Sequence, residues 1–379
     1  MKKIALLGST GSIGKQVIEV VNRYPEEYKI VSLSAYSDFS TLRSQAFSLM
    51  PKVCAVDYPC GDFSSRSMPE GVTLFTGEDA YLNAIISEAD VVVIAVVGFA
   101  GLKAVLKAIE LKKEIALANK ESLVVGGFLV NEKAVKNGVD IIPIDSEHSA
   151  IYQALSFDKN KPFKKIILTA SGGAFRDLSK KELEKVTASD ALKHPNWKMG
   201  KKITIDCATL VNKAFEVIEA KWLYNTDFNK IDAIVHRESI IHSMVEFEDN
   251  SILAQLSYPT MEIPIALALN HTKRMCQNVP SIDFASLKSL TFSEIDNERF
   301  PCFNLVVSTG KKGGLYPTVA NGANEIAVKR FLAGEISYND IYSIIDGALS
   351  AYNNSDKENL DGIFSANDFA TKFALNYKR

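Results

Sequence analysis

Ile4-Ala5-Leu6-Leu7-Gly8-Ser9-Thr10-Gly11-Ser12-Ile13-Gly14 is the stretch that decides the fold. A short apolar run, readable as a strand, breaks into a loop punctuated by Gly8, Gly11 and Gly14. It then enters Gly14–Tyr24, where apolar residues recur at helical spacings of three and four. Glycines in such a loop permit a tight turn, close backbone approach to a pyrophosphate, and helix–strand contact, while the helix N-terminus faces the negative charge. Gly14-Lys15 also suggests a P-loop, but Gln16 stands where a magnesium-binding Ser or Thr is needed and Ser9 where the first glycine belongs. The stretch predicts a dinucleotide site.

Moving outward, further strands are expected at Ile30–Leu33, Val53–Val56, Val91–Val96, Ile115–Ala118 and Ile141–Ile144, with Gly101–Lys112 as another helix. Alternation of this kind predicts a doubly wound parallel sheet. After Glu147 the pattern becomes mixed. Strands are expected at Lys165–Thr169, Lys202–Ile205, Ile231–Val235, Met244–Phe247 and Ile252–Leu256, and a helix over Val211–Tyr224. His271 to Arg299, with Pro280, reads as a connection to a helical third region: Asn324–Leu332, Asp340–Ala351 and Asp368–Tyr377. Ser337 with Asp340, and Ser365 with Asp368, have the spacing of capping boxes. The fold class is therefore α/β, with a Rossmann-like N-terminal domain, a central α+β domain and a C-terminal α-helical bundle.

Composition narrows the function. The chain has 379 residues, 47% hydrophobic and 23% charged, with net charge −2, an ordinary globular balance too long for one core. Nothing in that charge suggests a nucleic-acid or anionic-membrane partner, so an anionic substrate needs a local site. The five cysteines are scattered, with no Cys-x-x-Cys pair, which suits a reducing cytoplasm rather than a disulfide framework. The longest apolar run, Val91 to Val97, is far below membrane-spanning length, and no targeting segment is visible after Met1.

Several short motifs carry chemistry. Ile141-Ile142-Pro143-Ile144 runs into Asp145-Ser146-Glu147-His148 at a strand end, where ligands of open parallel sheets sit. If that segment is extended, Asp145 and Glu147 point to one side and can share a divalent cation. Asn119-Lys120-Glu121 follows another strand, and Lys120 there can stabilise oxyanion charge or move a proton. Asn212, Lys213 and Glu216 share one face of the Val211–Tyr224 helix. Lys213 and Glu216 can form an ordinary i,i+3 ion pair on a wet helix face, or Glu216 can join Asp145 and Glu147 in an all-oxygen set favouring Mg²⁺ or Mn²⁺ over zinc. Ser171-Gly172-Gly173 suits a phosphate. Trp197 and Met199, in His194–Gly200, are placed to close over a ligand. His148, His236 and His242 are expected to be structural rather than ligands. No acid follows the second strand before Asp38, and no Arg or Lys lies in Ser34–Ser40, so spacing leaves NAD and NADP both open.

Together these residues resemble the 1-deoxy-D-xylulose 5-phosphate reductoisomerase family. The resemblance rests on Gly8–Gly14, Leu117–Leu123, Asp145–His148, Ser171–Gly173, His194–Gly200, Ala208-Thr209 with Asn212-Lys213, Glu216, Ile241–Val245 and Ala323-Asn324-Glu325, and it spans essentially the whole chain. It implies NADPH contacts at Thr10, Gly11, Ser12, Ile13, Asn119, Glu121 and Gly200, and metal ligation by Asp145, Glu147 and Glu216. It implies that a small phosphorylated sugar meets Lys120, Ser146, Ser171, His194, Cys207, Asn212, Lys213 and Glu216. Lys120, Asp145, Glu147 and Glu216 would be the catalytic set. The implied domains are 1–145 for NADPH, 146–270 for catalysis with a lid at about 188–202, a linker at 271–297, and a helical domain at 298–379. The family is homodimeric, and a cytoplasmic location is expected. Two positions depart from the family pattern: Cys207 replaces a phosphate-binding serine, and Tyr36-Ser37-Asp38 replaces a Gly-basic-Asn run. A metal-independent enzyme of the homoserine dehydrogenase kind would explain residues 1–120 but leaves the three acids and the His194–Gly200 loop without a role; a cofactor-sensing binding protein would show no turnover.

Overall fold

The computed structural model describes residues 1–60, 67–193, 196, 197, 199–271 and 273–378. In chain order the first elements are β1 (Lys2–Leu7), α1 (Ser12–Arg23), β2 (Tyr28–Ala35), α2 (Phe39–Leu49), β3 (Val53–Val56), β4 (Thr73–Thr76) and β5 (Val91–Ile94). Next come α3 (Ala100–Glu110), β6 (Glu114–Leu117), α4 (Glu121–Asn137), β7 (Ile141–Pro143), α5 (Ser146–Ala154), β8 (Lys165–Ala170), α6 (Lys180–Leu183) and α7 (Ala188–Ala191). They are followed by α8 (Lys201–Ala208), α9 (Val211–Leu223), β9 (Ile231–Val235), β10 (Ile241–Glu246), β11 (Ile252–Leu256) and α10 (Glu262–Asn270). The chain ends in α11 (Phe284–Leu287), α12 (Pro301–Lys312), α13 (Tyr316–Leu332), α14 (Tyr338–Ala351) and α15 (Leu360–Asn376).

Two compact units result: one of Met1–Ser122, Val130–Ser149 and Thr260–Val279, the other of Leu123–Leu129, Ala150–Pro259 and Pro280–Arg379. The first holds a seven-stranded sheet in the order β4-β3-β2-β1-β5-β6-β7. Every neighbouring pair is parallel. Parallel strands covered on both faces read as continuous apolar runs, and Ile4, Ala5, Leu6 and Leu7 are all fully buried. The strand order reverses beside β1, which places the glycine loop at the switch point where such sheets bind ligands. β4 was not expected: Thr-Leu-Phe-Thr is a short edge strand, mostly exposed, and carries too few apolar residues to signal itself. Residues 260–279 return to this unit, where Arg23 pairs with Glu262 at 2.7 Å.

The second unit contains a four-stranded sheet, β11-β10-β8-β9, in which β8 and β9 are parallel and the other pairs antiparallel. The strand expected at Lys202–Ile205 is instead part of α8. Ile203-Thr204-Ile205 alternates like a strand, but Thr204 spends its hydroxyl on the Gly200 carbonyl one turn back, at 2.8 Å. The helix then buries Thr204, Ile205, Asp206 and Ala208. α13 begins at Tyr316, well before the expected Asn324, because Pro317 is tolerated in a first turn. The Ser337/Asp340 capping box is present at the start of α14. Ser365 and Asp368 lie inside α15, which starts earlier because Asn359 caps it by accepting from the Gly362 amide at 2.9 Å. Among the described residues no helix is long and apolar enough to cross a membrane.

Candidate functional site

In the first unit the glycine loop is a backbone cradle. A Cβ on Gly14 would lie 2.3 Å from the Gly8 carbonyl oxygen, and one on Gly8 would lie 2.5 Å from that of Ala95. Gly8 also has φ +80°, a left-handed conformation costly for other residues. The loop is fixed from the side by α2. Ser9 Oγ donates to Gln45 Oε1 at 2.7 Å, and Gln45 Nε2 donates to the Ser9 carbonyl at 2.9 Å. Thr10 and Ile13 are half-buried, Gly11 and Ser12 exposed. α1 starts at Ser12 without a side-chain cap, so its first amides remain available to an anion. This cradle fits a dinucleotide pyrophosphate.

The turn after β6 is built by Asn119. Its Nδ2 donates to the carbonyls of Val96 at 3.1 Å and Gly98 at 2.9 Å, and to Glu121 Oε2 at 3.1 Å. Its Oδ1 accepts from the Ser122 amide at 3.0 Å. One side chain thus locks the carboxyl ends of β5 and β6 together and starts α4. Lys120 and Glu121 are both buried. Lys120 Nζ sits 2.7 Å from Asp145 Oδ2, with only 8% and 15% of the two side chains exposed. Asp145 and Glu147 are not in an extended segment, as the sequence suggested. β7 ends at Pro143 and α5 begins at Ser146, so the two acids straddle a helix start, and Ser146 Oγ donates to Glu147 Oε2 at 2.5 Å.

In the second unit, Ser171-Gly172-Gly173 follows β8, with both glycines at positive φ. Ser171 Oγ accepts from the Gly173 amide at 3.3 Å. Gly173 presses on the end of α8: a Cβ there would come within 2.4 Å of the Cys207 carbonyl oxygen. Leu210, at φ +60°, turns the chain from α8 into α9. Asn212 and Lys213 occupy the first turn of α9, where the Val211 amide meets Thr209 Oγ1 at 3.4 Å and the helix dipole favours an anion. Glu216 is fully buried one turn along. Asn212 Nδ2 donates to its Oε1 at 2.5 Å, and Lys213 forms an ion pair with Oε2.

The residues therefore fall into local sets: Lys120 with Asp145, Ser146 with Glu147, and Asn212, Lys213 and Glu216 together. Two of the candidate metal ligands, the half-buried Asp145 and the buried Glu216, carry a lysine ammonium as counter-charge. Their donor atoms are all carboxylate oxygens, the chemistry of a hard divalent cation. His194 lies outside the described residues. Asn196 Nδ2 donates to the Arg237 carbonyl at 2.6 Å and to Ser239 Oγ at 2.8 Å, while Trp197 meets the His242 ring edge-on at 6.1 Å. Gly200 is the exposed N-cap of α8.

Three supporting residues escaped the sequence reading. Asp206 accepts from Asn324 Nδ2 at 2.8 Å and pairs with Lys202 at 3.0 Å. Tyr338 Oη donates to the Ala208 carbonyl at 2.8 Å. The Asn324 and Tyr338 bonds pin the end of α8, which carries Cys207, from α13 and α14. Arg176, whose pKa burial and then nearby Arg237 push down, donates to the carbonyls of Ser171 at 3.2 Å and Arg237 at 2.9 Å. Contacts between residues this far apart leave no local trace, although Asp206 amid apolar neighbours was a signal of a buried acid.

The chain is similar over essentially its whole length to known proteins. The family profile for 1-deoxy-D-xylulose 5-phosphate reductoisomerase matches residues 4–127, and profiles for C-terminal domains of the same enzyme match 141–224 and 256–373. The reductoisomerase of Chloroherpeton thalassium is 44% identical over 366 residues, covering 96% of this chain and 95% of that protein. That of a Thermoanaerobacter species is 45% identical with all of both chains covered. A crystal structure of DOX-P reductoisomerase in complex with NADPH, fosmidomycin and magnesium superposes with TM-score 0.93 at 35% identity, covering 99% of this chain and 98% of that one. The Zymomonas mobilis enzyme in complex with NADPH gives 0.91 at 38% identity, with 98% of each chain covered.

Proposed function

The chain belongs to the 1-deoxy-D-xylulose 5-phosphate reductoisomerase family, and from that premise we propose how its own residues divide the work. The enzyme carries out the NADPH- and divalent-metal-dependent rearrangement and reduction of 1-deoxy-D-xylulose 5-phosphate to 2-C-methyl-D-erythritol 4-phosphate. The near-complete coverage of relatives sharing that activity is the observation that carries this reading. When bound, NADPH supplies the hydride and Mg²⁺ or Mn²⁺ the Lewis acidity.

The glycine cradle would hold the coenzyme through Thr10, Gly11, Ser12 and Ile13, with Asn119, Glu121 and Gly200 contributing. Asp145, Glu147 and Glu216 would be the metal ligands; their oxygen-only chemistry supports the assignment. Lys120, held against Asp145 at 2.7 Å, is the ammonium placed to neutralise negative charge developing on the substrate's oxygens during the carbon-skeleton rearrangement. The substrate phosphate would be held by Ser171, Cys207, Asn212 and Lys213, with the α9 amides after Val211 adding donors. Ser146 and His194 would contact the rest of the substrate. Trp197 and Met199 would exclude water when the 188–202 segment closes.

The functional division would be residues 1–145 for coenzyme, 146–270 for catalysis, 271–297 as linker and 298–379 as the helical support. A cytoplasmic homodimer fits this reading. β11 is an edge strand whose Ile252 and Leu253 are 50% and 48% exposed, the kind of apolar edge that a second copy covers. The test of the activity is direct: purified protein with 1-deoxyxylulose 5-phosphate and NADPH, with and without a chelator, followed at the nicotinamide band. Substrate-dependent loss of absorbance that the chelator abolishes supports the proposal; coenzyme oxidation indifferent to substrate or chelator refutes it.

A further inference from the structure

Asp38 stands three residues beyond the end of β2, where dinucleotide sheets sort NAD from NADP. An acid at this point binds the ribose diol, whereas a phosphorylated ribose needs a cation. Asp38 is not a free loop residue. Its Oδ1 accepts from the Thr41 amide at 3.0 Å, making it the N-cap of α2. The backbone around it is tied to the chain after β3: Tyr58 N donates to the Tyr36 carbonyl at 2.8 Å and Cys60 N to that of Ser37 at 3.1 Å. Tyr36 and Tyr58 pack edge to face at 5.2 Å while staying 68% and 49% exposed, an aromatic wall at the same mouth. The Thr41 bonds, and in smaller part the positive charge of Lys15, hold the Asp38 carboxyl below its usual range, so it is an anion throughout the neutral range. Lys15 is an exposed residue in the first turn of α1, directly after the glycine loop.

We propose that coenzyme selectivity in this protein is set by the opposed charges of Asp38, capping α2, and Lys15, on the first turn of α1. Asp38 weakens the hold on a 2′-phosphate, and Lys15 sustains it in place of a basic residue after β2, where Ser34–Ser40 contains none. Each charge acts on the 2′-phosphate of NADPH; NADH lacks that group, so Lys15 leaves it nearly untouched, and Asp38, facing only a ribose diol there, does not weaken it. The inference rests on the NADPH reading above and deepens it.

The test uses Asp38→Asn, which keeps the cap, since Asn and Asp are equivalent at that position, while deleting the charge. Dissociation constants for NADPH and NADH are measured by calorimetry on the full-length protein, alongside Lys15→Gln. Asp38→Asn should tighten NADPH by about five- to tenfold and Lys15→Gln should weaken it similarly, the scale of one charge pair near a protein surface. NADH should change by less than about twofold in Lys15→Gln and should not tighten in Asp38→Asn, and both effects on NADPH should shrink in high salt. A shift of both coenzymes alike in Asp38→Asn, or an unchanged NADPH-to-NADH ratio in Lys15→Gln, overturns the proposal. Unmodified protein that binds neither coenzyme would overturn the reading on which it rests.

Discussion

Replacing Tyr338 with Phe deletes one oxygen atom and tests whether the C-terminal helices hold the proposed phosphate corner in place. Tyr338 is 7% exposed, and its hydroxyl donates to the Ala208 carbonyl at 2.8 Å. Burial holds this phenol well above its ordinary pKa, so it remains a donor at any assay pH. The ring would keep its edge-on contacts with Phe175 at 5.2 Å and Phe331 at 6.2 Å. The loss is therefore confined to one buried hydrogen bond and a carbonyl deprived of its donor, a cost of about 1–3 kcal/mol. A loss near ~2 kcal/mol corresponds to roughly 4–8 °C in the melting transition of a unit of this size. Because Ala208 follows Cys207, the end of α8 proposed to meet the phosphate should loosen with it. Circular-dichroism melts and steady-state kinetics read both effects. KM for the phosphorylated substrate should rise several-fold while NADPH affinity holds. An unchanged melting point and KM, or a matching loss of NADPH affinity, would refute the argument.

The coenzyme cradle makes a sharper demand. Gly14→Ala should destabilise the first unit by about 1–3 kcal/mol, an overpacking cost, because its Cβ meets backbone at 2.3 Å. It should also abolish NADPH binding in a fluorescence titration, and normal binding would contradict the cradle. Cys207→Ser restores a stronger hydrogen-bond donor and should lower KM for the phosphorylated substrate without changing the NADPH constant. A raised or unaltered KM would count against direct contact with the phosphate.

The dinucleotide half was legible because its demands are local. Gly8 and Gly14 must lack side chains where backbone meets backbone, and β1 must be apolar on both faces, so a few adjacent residues carry the whole signal. Ser337 with Asp340 was legible for the same reason. Lys202–Ile205 misled because a two-residue alternation is compatible with a helix whose threonine bonds back to Gly200. The Asp145-x-Glu147 segment reads as extended, whereas Pro143 ends the strand before the acids and Ser146 begins a helix. Asn324 and Tyr338 were invisible as supports of the α8–α9 turn, because their partners at Asp206 and Ala208 lie more than a hundred residues away. Tertiary pairing of that kind has no period to read.

The central claim is that Asp145, Glu147 and Glu216 serve one divalent cation. Titrating Mn²⁺ into the full-length protein by electron paramagnetic resonance, for the native chain and for Glu216→Gln, tests it most directly, with NADPH binding as the control for folding. The account predicts Mn²⁺ affinity weaker by at least roughly tenfold, severe loss of turnover and intact NADPH binding. A Glu216→Gln protein that takes up Mn²⁺ as tightly as the native chain and keeps its metal-dependent turnover would contradict it.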